Sequence, residues 1–208
     1  MIYGIDISKA RTGLAVGRAG ETPKTVSIVG AKLDVEIVAV KLFCYLRDRV
    51  KLDRPDLLVW EAGLNPAAFT PEVNFEEKTV RNKRGIQSML DLVEMISAVK
   101  LFCNLASIET RRVYPSTIRK EFLGNGRLHR DVAKKSVVAM CGLLNWPVNN
   151  DDEADAASLW HYGVCLKAPR LAKPILPSMH ARVATMVAGS GSASSGLLRA
   201  PIDDEVPL

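Results

Sequence analysis

The feature that most constrains the fold is a series of three short β-type segments at the start of the chain. Residues 2–8, 14–18 and 24–31 are rich in apolar side chains, and turn-forming residues at 11–13 and 20–23 separate them. Turns of this length join antiparallel strands, because a parallel pair needs a crossover of a dozen or more residues. The pattern therefore predicts an antiparallel meander.

The following segments change to the helical period. Residues 34–50 carry apolar side chains at helical spacing, and the run LLVWE (57–61) then ends in a carboxylate. A strand reached through a helix is usually parallel to its neighbour, because the crossover requires it. A long apolar helix at 86–105 and a strand at 107–114 repeat this order. We therefore predict an α/β fold with a five-stranded mixed sheet flanked by helices.

Helical patterns continue to residue 168. Three further helices are predicted at residues 115–124, 128–144 and 151–168. Beyond them, GSGSASSG (189–196) has the composition of a flexible linker. We therefore predict a domain at residues 1–168 and a flexible C-terminal tail at residues 169–208.

The composition favours a cytoplasmic protein. No apolar run approaches the roughly 18 residues of a membrane span, and the first residues lack the features of a secretory signal. The four cysteines stand singly in apolar segments without a C-x-x-C pair, which favours reduced thiols over disulfides or a zinc site.

The net charge of +5 is concentrated in two clusters. Residues 111–135 contain eight Lys or Arg against two acids, and four more basic residues lie within 78–84. Such clusters usually mark a polyanionic partner such as nucleic acid, although a solvated helix face is the alternative for either cluster alone. Five of these residues are predicted to bind DNA: Lys83, Arg84, Lys120, Arg127 and Lys134.

Acidic residues end two predicted strands and crowd the start of one helix. Asp6 lies near the end of the first strand, and Glu61 closes the fourth. If these strands are parallel neighbours, both carboxylates emerge at the carboxyl edge of the sheet, where open α/β sheets bind ligands. Asp152 and Asp155, three residues apart on a helix, could complete a cluster of four. Alternatively, the acids at 151–155 only cap the helix and complement its dipole.

Four carboxylates in one place imply cations. Their mutual repulsion would raise their pKa values unless positive charge neutralised them. Hard oxygen ligands select Mg²⁺ or Mn²⁺, and a pair of such ions stabilises in-line displacement at a phosphodiester. The pattern therefore predicts two ions per site, with four residues as catalytic metal ligands: Asp6, Glu61, Asp152 and Asp155.

Four stretches of the chain resemble the RuvC-type Holliday junction resolvases, within the RNase H-like superfamily. They are GIDISKARTGLAV (4–16), VWEAG (59–63), STIRKEFLGNGRLHRDVAKKSV (116–137) and DDEADAASLW (151–160). The resemblance spans residues 1–168 and implies an RNase H-like fold. The divergent details look similar to phage-encoded relatives, which implies the cytoplasm of a bacterial cell or a phage-infected host.

The resemblance also implies roles for individual residues. It places the four family acids on the same four carboxylates, with Asp151 as a rival to Asp152 in the D-x-x-D pair. Two basic residues near the scissile phosphate match Arg119 and Arg130, where the family often has lysine. Arginine keeps the charge and adds bidentate phosphate binding. In the loop at 62–82, Phe69 or Phe75 could stack on an unpaired base or pack beneath the loop.

The resemblance implies a homodimeric, metal-dependent endonuclease that cleaves Holliday junctions and other branched DNA in recombination and repair. The helix at 86–105 is the candidate dimer interface, because its apolar residues cover more than one face. One alternative is a branched-DNA-binding protein without catalysis, and another is an RNase H-like nuclease that acts on RNA or hybrids. An ATPase of the actin-like or sugar-kinase class would need a second domain for which 208 residues leave no room.

Overall fold

The computed structural model describes the backbone of residues 1–62 and 78–192, and the side chains of residues 1–62 and 86–189. Within these residues the strands are β1 (Ile2–Asp6), β2 (Arg11–Gly17), β3 (Lys24–Val29), β4 (Leu57–Glu61) and β5 (Thr110–Val113). The α-helices are α1 (Val35–Leu52), α2 (Lys78–Leu105), α3 (Pro115–Leu123), α4 (Arg130–Leu143), α5 (Asp151–Lys167) and α6 (Pro177–Ser192). A short 3₁₀ helix, Pro169–Leu171, lies between α5 and α6.

The strands form one mixed sheet in the order β3-β2-β1-β4-β5. The first three are an antiparallel meander, whereas β4 runs parallel to β1 and β5 runs parallel to β4. The predicted α/β fold with a five-stranded mixed sheet flanked by helices is confirmed. The carboxyl ends of β1, β4 and β5 therefore share one edge of the sheet.

Side chains along the central strands alternate between two cores. Tyr3 and Ile5 of β1 and Trp60 of β4 lie in a core with α1 and α2. Ile2, by contrast, packs in a second core with α4 and α5. Because successive side chains of a strand point to opposite faces, Asp6 and Glu61 both belong to the face that α5 covers.

The helix α5 lies directly against the sheet, with backbone on backbone. A Cβ atom added to Gly4 would lie 2.2 Å from the carbonyl oxygen of Ala156. A Cβ added to Gly13 would lie 2.0 Å from the carbonyl oxygen of Asp152. Glycine is therefore required at both positions so that α5 can approach this closely.

The segment predicted as a tail begins with ordered structure. The helix α6 packs against α4, and Val183 is buried in the same core as α5. Met179, Val183 and Val187 recur every four residues and give α6 one apolar face. The chain thus continues in helical structure to residue 192, whereas flexibility was predicted from residue 169. The domain boundary at residue 168 stays a prediction, and residues 193–208 lie outside the described part.

Two further sequence expectations concern the cysteines and membrane-spanning helices. All four cysteines carry free thiols, and Cys103 and Cys141 are buried. Within residues 1–62 and 78–192, no helix combines the length and apolarity that crossing a bilayer requires.

Candidate functional site

A cavity of about 540 Å³ opens at the carboxyl edge of the sheet. Its acidic lining comes from three separate elements: Asp6 at the end of β1, Glu61 at the end of β4, and Asp152 and Asp155 in the first turns of α5. Its basic lining comes from α3 and α4: Arg119, Arg130 and Lys134. The structure thus brings the four acids that the sequence singled out to one place.

The register of the sheet explains why these acids meet. Ile5 of β1 faces Trp60 of β4 in the parallel ladder, so the next residues, Asp6 and Glu61, leave the sheet side by side. On the other side, Asp6 pairs with Gly13 of β2. The backbone of Asp152 rests on that glycine, so the first turn of α5 stands beside the end of β1.

Burial and mutual repulsion shift the titration of these carboxyls. Burial, followed by the negative charges of Asp155, Glu61 and Asp152, raises the pKa of Asp6 well above its usual range. Burial and Glu61 likewise raise the pKa of Asp155 to about 7. Such shifts mean that the ionised site is costly and would gain from bound cations.

Basic side chains offset part of this cost. Burial raises the pKa of Glu61, although the positive charges of Arg119, Arg130 and Lys134 act in the opposite direction. Arg11 of β2 lies 3.8 Å from Asp152, measured from Nη1 to Oδ2. The cavity therefore combines carboxylates with cations that could face a phosphate group.

The donor set fits a hard divalent cation, since all four candidates are carboxylates. Within the described part of the chain, however, no three Asp, Glu, His or Cys side chains stand close enough together to hold one ion as they are placed. The acids therefore form an open set of donors around a cavity rather than a closed coordination shell. An ion there would be held by one or two carboxylates, with other oxygens completing its shell.

Two of the other predicted DNA-binding residues, Lys120 and Arg127, do not line this cavity. Lys120 on α3 and Arg127 in the turn before α4 are exposed to solvent. Lys83 and Arg84 belong to the first turns of α2, and their side chains lie outside the described residues, as do Phe69 and Phe75 entirely.

The acids at the start of α5 have different surroundings. Asp151, the rival ligand, does not line the cavity and instead forms an ion pair with Lys134. Glu153 points away from the cavity and is buried, with 3% of its surface exposed. Its Oε2 accepts hydrogen bonds from Thr25 Oγ1 at 2.9 Å and from the backbone N–H of Asn149 at 3.0 Å.

Sequence reasoning missed the structural role of Glu153. The side chain of Asn150 caps α5 by accepting a hydrogen bond from the backbone N–H of Glu153, at 2.9 Å. An Asn at the N-cap with a Glu three residues later has the spacing of a capping box, and that signal was present in the sequence. The capping interpretation therefore holds for Asn150 and Glu153, whereas the metal-site interpretation of Asp152 and Asp155 stays a prediction.

Comparisons with known proteins establish the fold. No protein-family model and no curated protein matches the chain. The chain is similar in structure to RuvC of Thermus thermophilus, with a TM-score of 0.55 and 14% identity over 84% of this chain and 99% of that chain. It is equally similar to T. thermophilus RuvC in complex with a Holliday junction substrate, with a TM-score of 0.55 and 11% identity over 84% and 98% of the two chains.

The RuvC-type architecture expected from the four sequence stretches is thus confirmed at the level of the fold. Identities of 14% and 11% support the fold and no finer assignment. The phage-type origin stays a prediction.

Proposed function

We propose that the protein is a metal-dependent, structure-specific endonuclease that hydrolyses phosphodiester bonds in Holliday junctions and other branched DNA. The observation that carries the proposal is the meeting of four carboxylates and three basic side chains around one cavity at the carboxyl edge of the sheet. The shared fold supports the proposal, because T. thermophilus RuvC forms a complex with a Holliday junction substrate. A cytoplasmic location remains part of the proposal.

The carboxylates would hold two Mg²⁺ or Mn²⁺ ions between β1, β4 and α5. The holding residues would be Asp6, Glu61, Asp152 and Asp155. Bound ions would supply activation of an attacking water and neutralisation of charge on the leaving oxygen.

The basic side chains would orient the substrate. Arg119 and Arg130 line the cavity from α3 and α4. Their guanidinium groups would bind the non-bridging oxygens of the phosphodiester and stabilise the charge that develops there. The exposed Lys120 and Arg127, together with Lys83 and Arg84, would extend this contact along the DNA backbone.

We further propose that the protein is a homodimer through α2. Large apolar side chains are exposed along one face of this helix: Ile86, Leu90, Val93, Leu101 and Leu105. Their spacing places them in one stripe along α2, and the opposite face of this helix packs against α1 and the sheet. A two-fold dimer would present two identical cavities to the two equivalent strands of a four-way junction.

The decisive experiment is cleavage of an end-labelled synthetic four-way junction in the presence of Mg²⁺. We expect nicking by the unmodified protein and a loss of cleavage rate of more than about 100-fold in Asp6→Asn and Asp155→Asn. Mutating a residue that only supports a metal ligand usually lowers metal affinity or activity by about 10–100-fold, so the loss of a ligand itself should cost more. Asp131→Asn is the matched control, because Asp131 is an exposed acid in the first turn of α4.

Junction binding in Ca²⁺, measured by gel shift, separates lost chemistry from lost binding. Cleavage that persists in both variants would overturn the assignment of the metal site. A junction shift without nicking under Mg²⁺ or Mn²⁺ would indicate a binding protein instead. Competition by duplex DNA or by an RNA–DNA hybrid that equals competition by the junction would remove the branched-DNA specificity.

A further inference from the structure

The ion pair between Lys134 and Asp151 lies at the rim of the candidate site. Lys134 is on α4 and lines the cavity, whereas Asp151 begins α5 and lies outside the lining. The Lys134 ammonium contacts Oδ2 of Asp151. Both side chains are about one-third exposed, so the pair is accessible to solvent rather than enclosed in the core.

Lys134 lines the same cavity as the four candidate ligands: Asp6, Glu61, Asp152 and Asp155. Its ammonium is nevertheless paired with Asp151, which is not among the lining residues. Lys134 is thus placed where its long side chain could also reach into the carboxylate cluster as an internal counter-ion.

A free lysine beside four carboxylates would compete with a metal ion. Its ammonium is a compact charge on a flexible stem, and it would pair with whichever carboxylate is nearest. Asp151 supplies an alternative partner one residue before Asp152. Because Asp151 does not line the cavity, a lysine held there stands at the edge of the cluster and leaves the ligand oxygens open.

We infer that Asp151 is a positioning residue that holds the Lys134 ammonium at the rim of the site, so that the carboxylates stay available to divalent cations while the ammonium faces the substrate phosphate. The inference rests on the proposed metal-dependent function. It assigns Asp151 a role other than that of a ligand and explains the presence of an acid beside the D-x-x-D pair.

The test is direct measurement of Mn²⁺ affinity on the full chain without DNA, with free Mn²⁺ detected by electron paramagnetic resonance. In Asp151→Asn the released lysine should pair with the ligands and weaken Mn²⁺ binding by about tenfold. Lys134→Met should bind Mn²⁺ at least as tightly as the unmodified protein, because a repelling charge is gone. The double variant should behave like Lys134→Met, which makes the two substitutions strongly non-additive.

Matched controls are available on α4. Lys135→Met changes the neighbouring exposed lysine of α4, and Asp131→Asn changes an exposed acid that does not line the cavity; neither should alter Mn²⁺ affinity. Thermal melting of each variant checks that the fold is retained. A second measurement is junction affinity without divalent ions, where Lys134→Met should reduce the salt dependence by about one counterion and Asp151→Asn should not.

The outcomes separate this inference from the proposed function. If Asp151→Asn leaves Mn²⁺ affinity unchanged, or if the double variant binds as weakly as Asp151→Asn, the positioning role is wrong although the nuclease proposal stands. If Asp151→Asn abolishes binding and Lys134→Met does not rescue it, Asp151 is a ligand and the inference is overturned. If the unmodified protein takes up no Mn²⁺ at all, both the inference and the metal-dependent function fail.

Discussion

The two faces of the sheet are covered by helices in very different ways. On one face, ten of the seventeen residues of α5 are buried, and its backbone touches the backbone of β1 and β2 at Gly4 and Gly13. On the other face, α2 packs mainly against α1, and only five of the twenty described side chains of α2 are buried. The helix α5 therefore has little room to shift against the sheet, whereas α2 keeps an exposed apolar stripe.

This contrast corresponds to two kinds of task. Two of the four candidate ligands lie on α5, and oxygen atoms that share ions must be positioned precisely relative to Asp6 and Glu61. Side-chain-to-side-chain packing, as between Phe43 of α1 and Phe102 of α2 with ring centroids 5.3 Å apart, tolerates more adjustment. We therefore expect substitutions under α5 to be far more damaging than substitutions on the outer face of α2.

The largest effect is expected for Gly13→Ala. The added Cβ would lie 2.0 Å from a backbone oxygen of α5, so the helix or the strand must move. Overpacking usually costs 1–3 kcal/mol, and a clash between two backbones should reach about 3 kcal/mol or more in the free energy of unfolding. Urea unfolding followed by circular dichroism measures this change.

Gly142→Ala is the matched control for that substitution. Gly142 lies near the end of α4, and nothing stands within 4 Å of an added Cβ. Alanine should stabilise the helix there by about 0.5 kcal/mol. Equal effects of the two substitutions would mean that α5 does not rest on β2 as tightly as described.

An intermediate effect is expected for Glu153→Gln, which disturbs the anchor of α5 without adding volume. A buried acceptor of charge-assisted hydrogen bonds is usually worth 1–3 kcal/mol, so we expect a loss of about 2 kcal/mol at pH 7. Glu36→Gln is the control, because Glu36 is an exposed glutamate in the first turn of α1. Its effect should stay within about 0.5 kcal/mol.

The pH dependence of the stability lost in Glu153→Gln follows from the direction in which the pKa of Glu153 is shifted. Burial acts to raise the pKa of Glu153, but hydrogen bonds from Asn149 and Thr25 outweigh it and leave the pKa below 4.5. A carboxyl with a lowered folded-state pKa stabilises the fold above its unfolded pKa, and this contribution is lost as the pH falls through the folded-state value. The difference in the free energy of unfolding between the unmodified protein and Glu153→Gln should therefore be largest at pH 7 and decrease below about pH 4.5. A constant difference down to pH 3 would contradict the anchoring role.

The sequence was sufficient to predict the acids of the sheet edge but not the details of α5. Asp6 and Glu61 end two strands that must be parallel, because a helix connects them. The topology alone therefore predicts that these two residues lie close together. Asp151 and Asp152 lie four and three residues before Asp155, and both spacings share a helix face. The structure distinguishes them: Asp152 lines the cavity with its backbone on Gly13, whereas Asp151 pairs with Lys134 of α4.

Two helical segments were not predicted, because their patterns of apolar residues are weak. The first turns of α2, from Lys78, carry basic rather than apolar residues, so the helix was predicted to begin only at residue 86. The apolar face of α6 has few members, and the adjoining Pro and Gly/Ser residues favoured a tail. Whether such a weak amphipathic segment forms a helix depends on a partner surface, here α4, which periodicity cannot reveal.

The smallest effect on folding is expected from Leu90→Lys combined with Val93→Lys on α2. Both side chains are about half exposed in the single chain, at 51% and 54%, so each substitution should change its free energy of unfolding by no more than about 0.5 kcal/mol. If the stripe on α2 is the proposed dimer interface, four lysines would face one another across the two-fold axis. Light scattering after size-exclusion chromatography should then show a dimer for the unmodified protein and a monomer for the variant.

Leu171→Lys is the control, because Leu171 is an equally exposed apolar residue, at 56%, on the 3₁₀ helix after α5. It should leave the dimer intact. Retention of the dimer by the α2 variant would move the interface elsewhere, whereas a large loss of stability in the monomer would mean that the stripe packs within the chain. The second result would weaken the contrast between the two faces, because α2 would then be as constrained as α5.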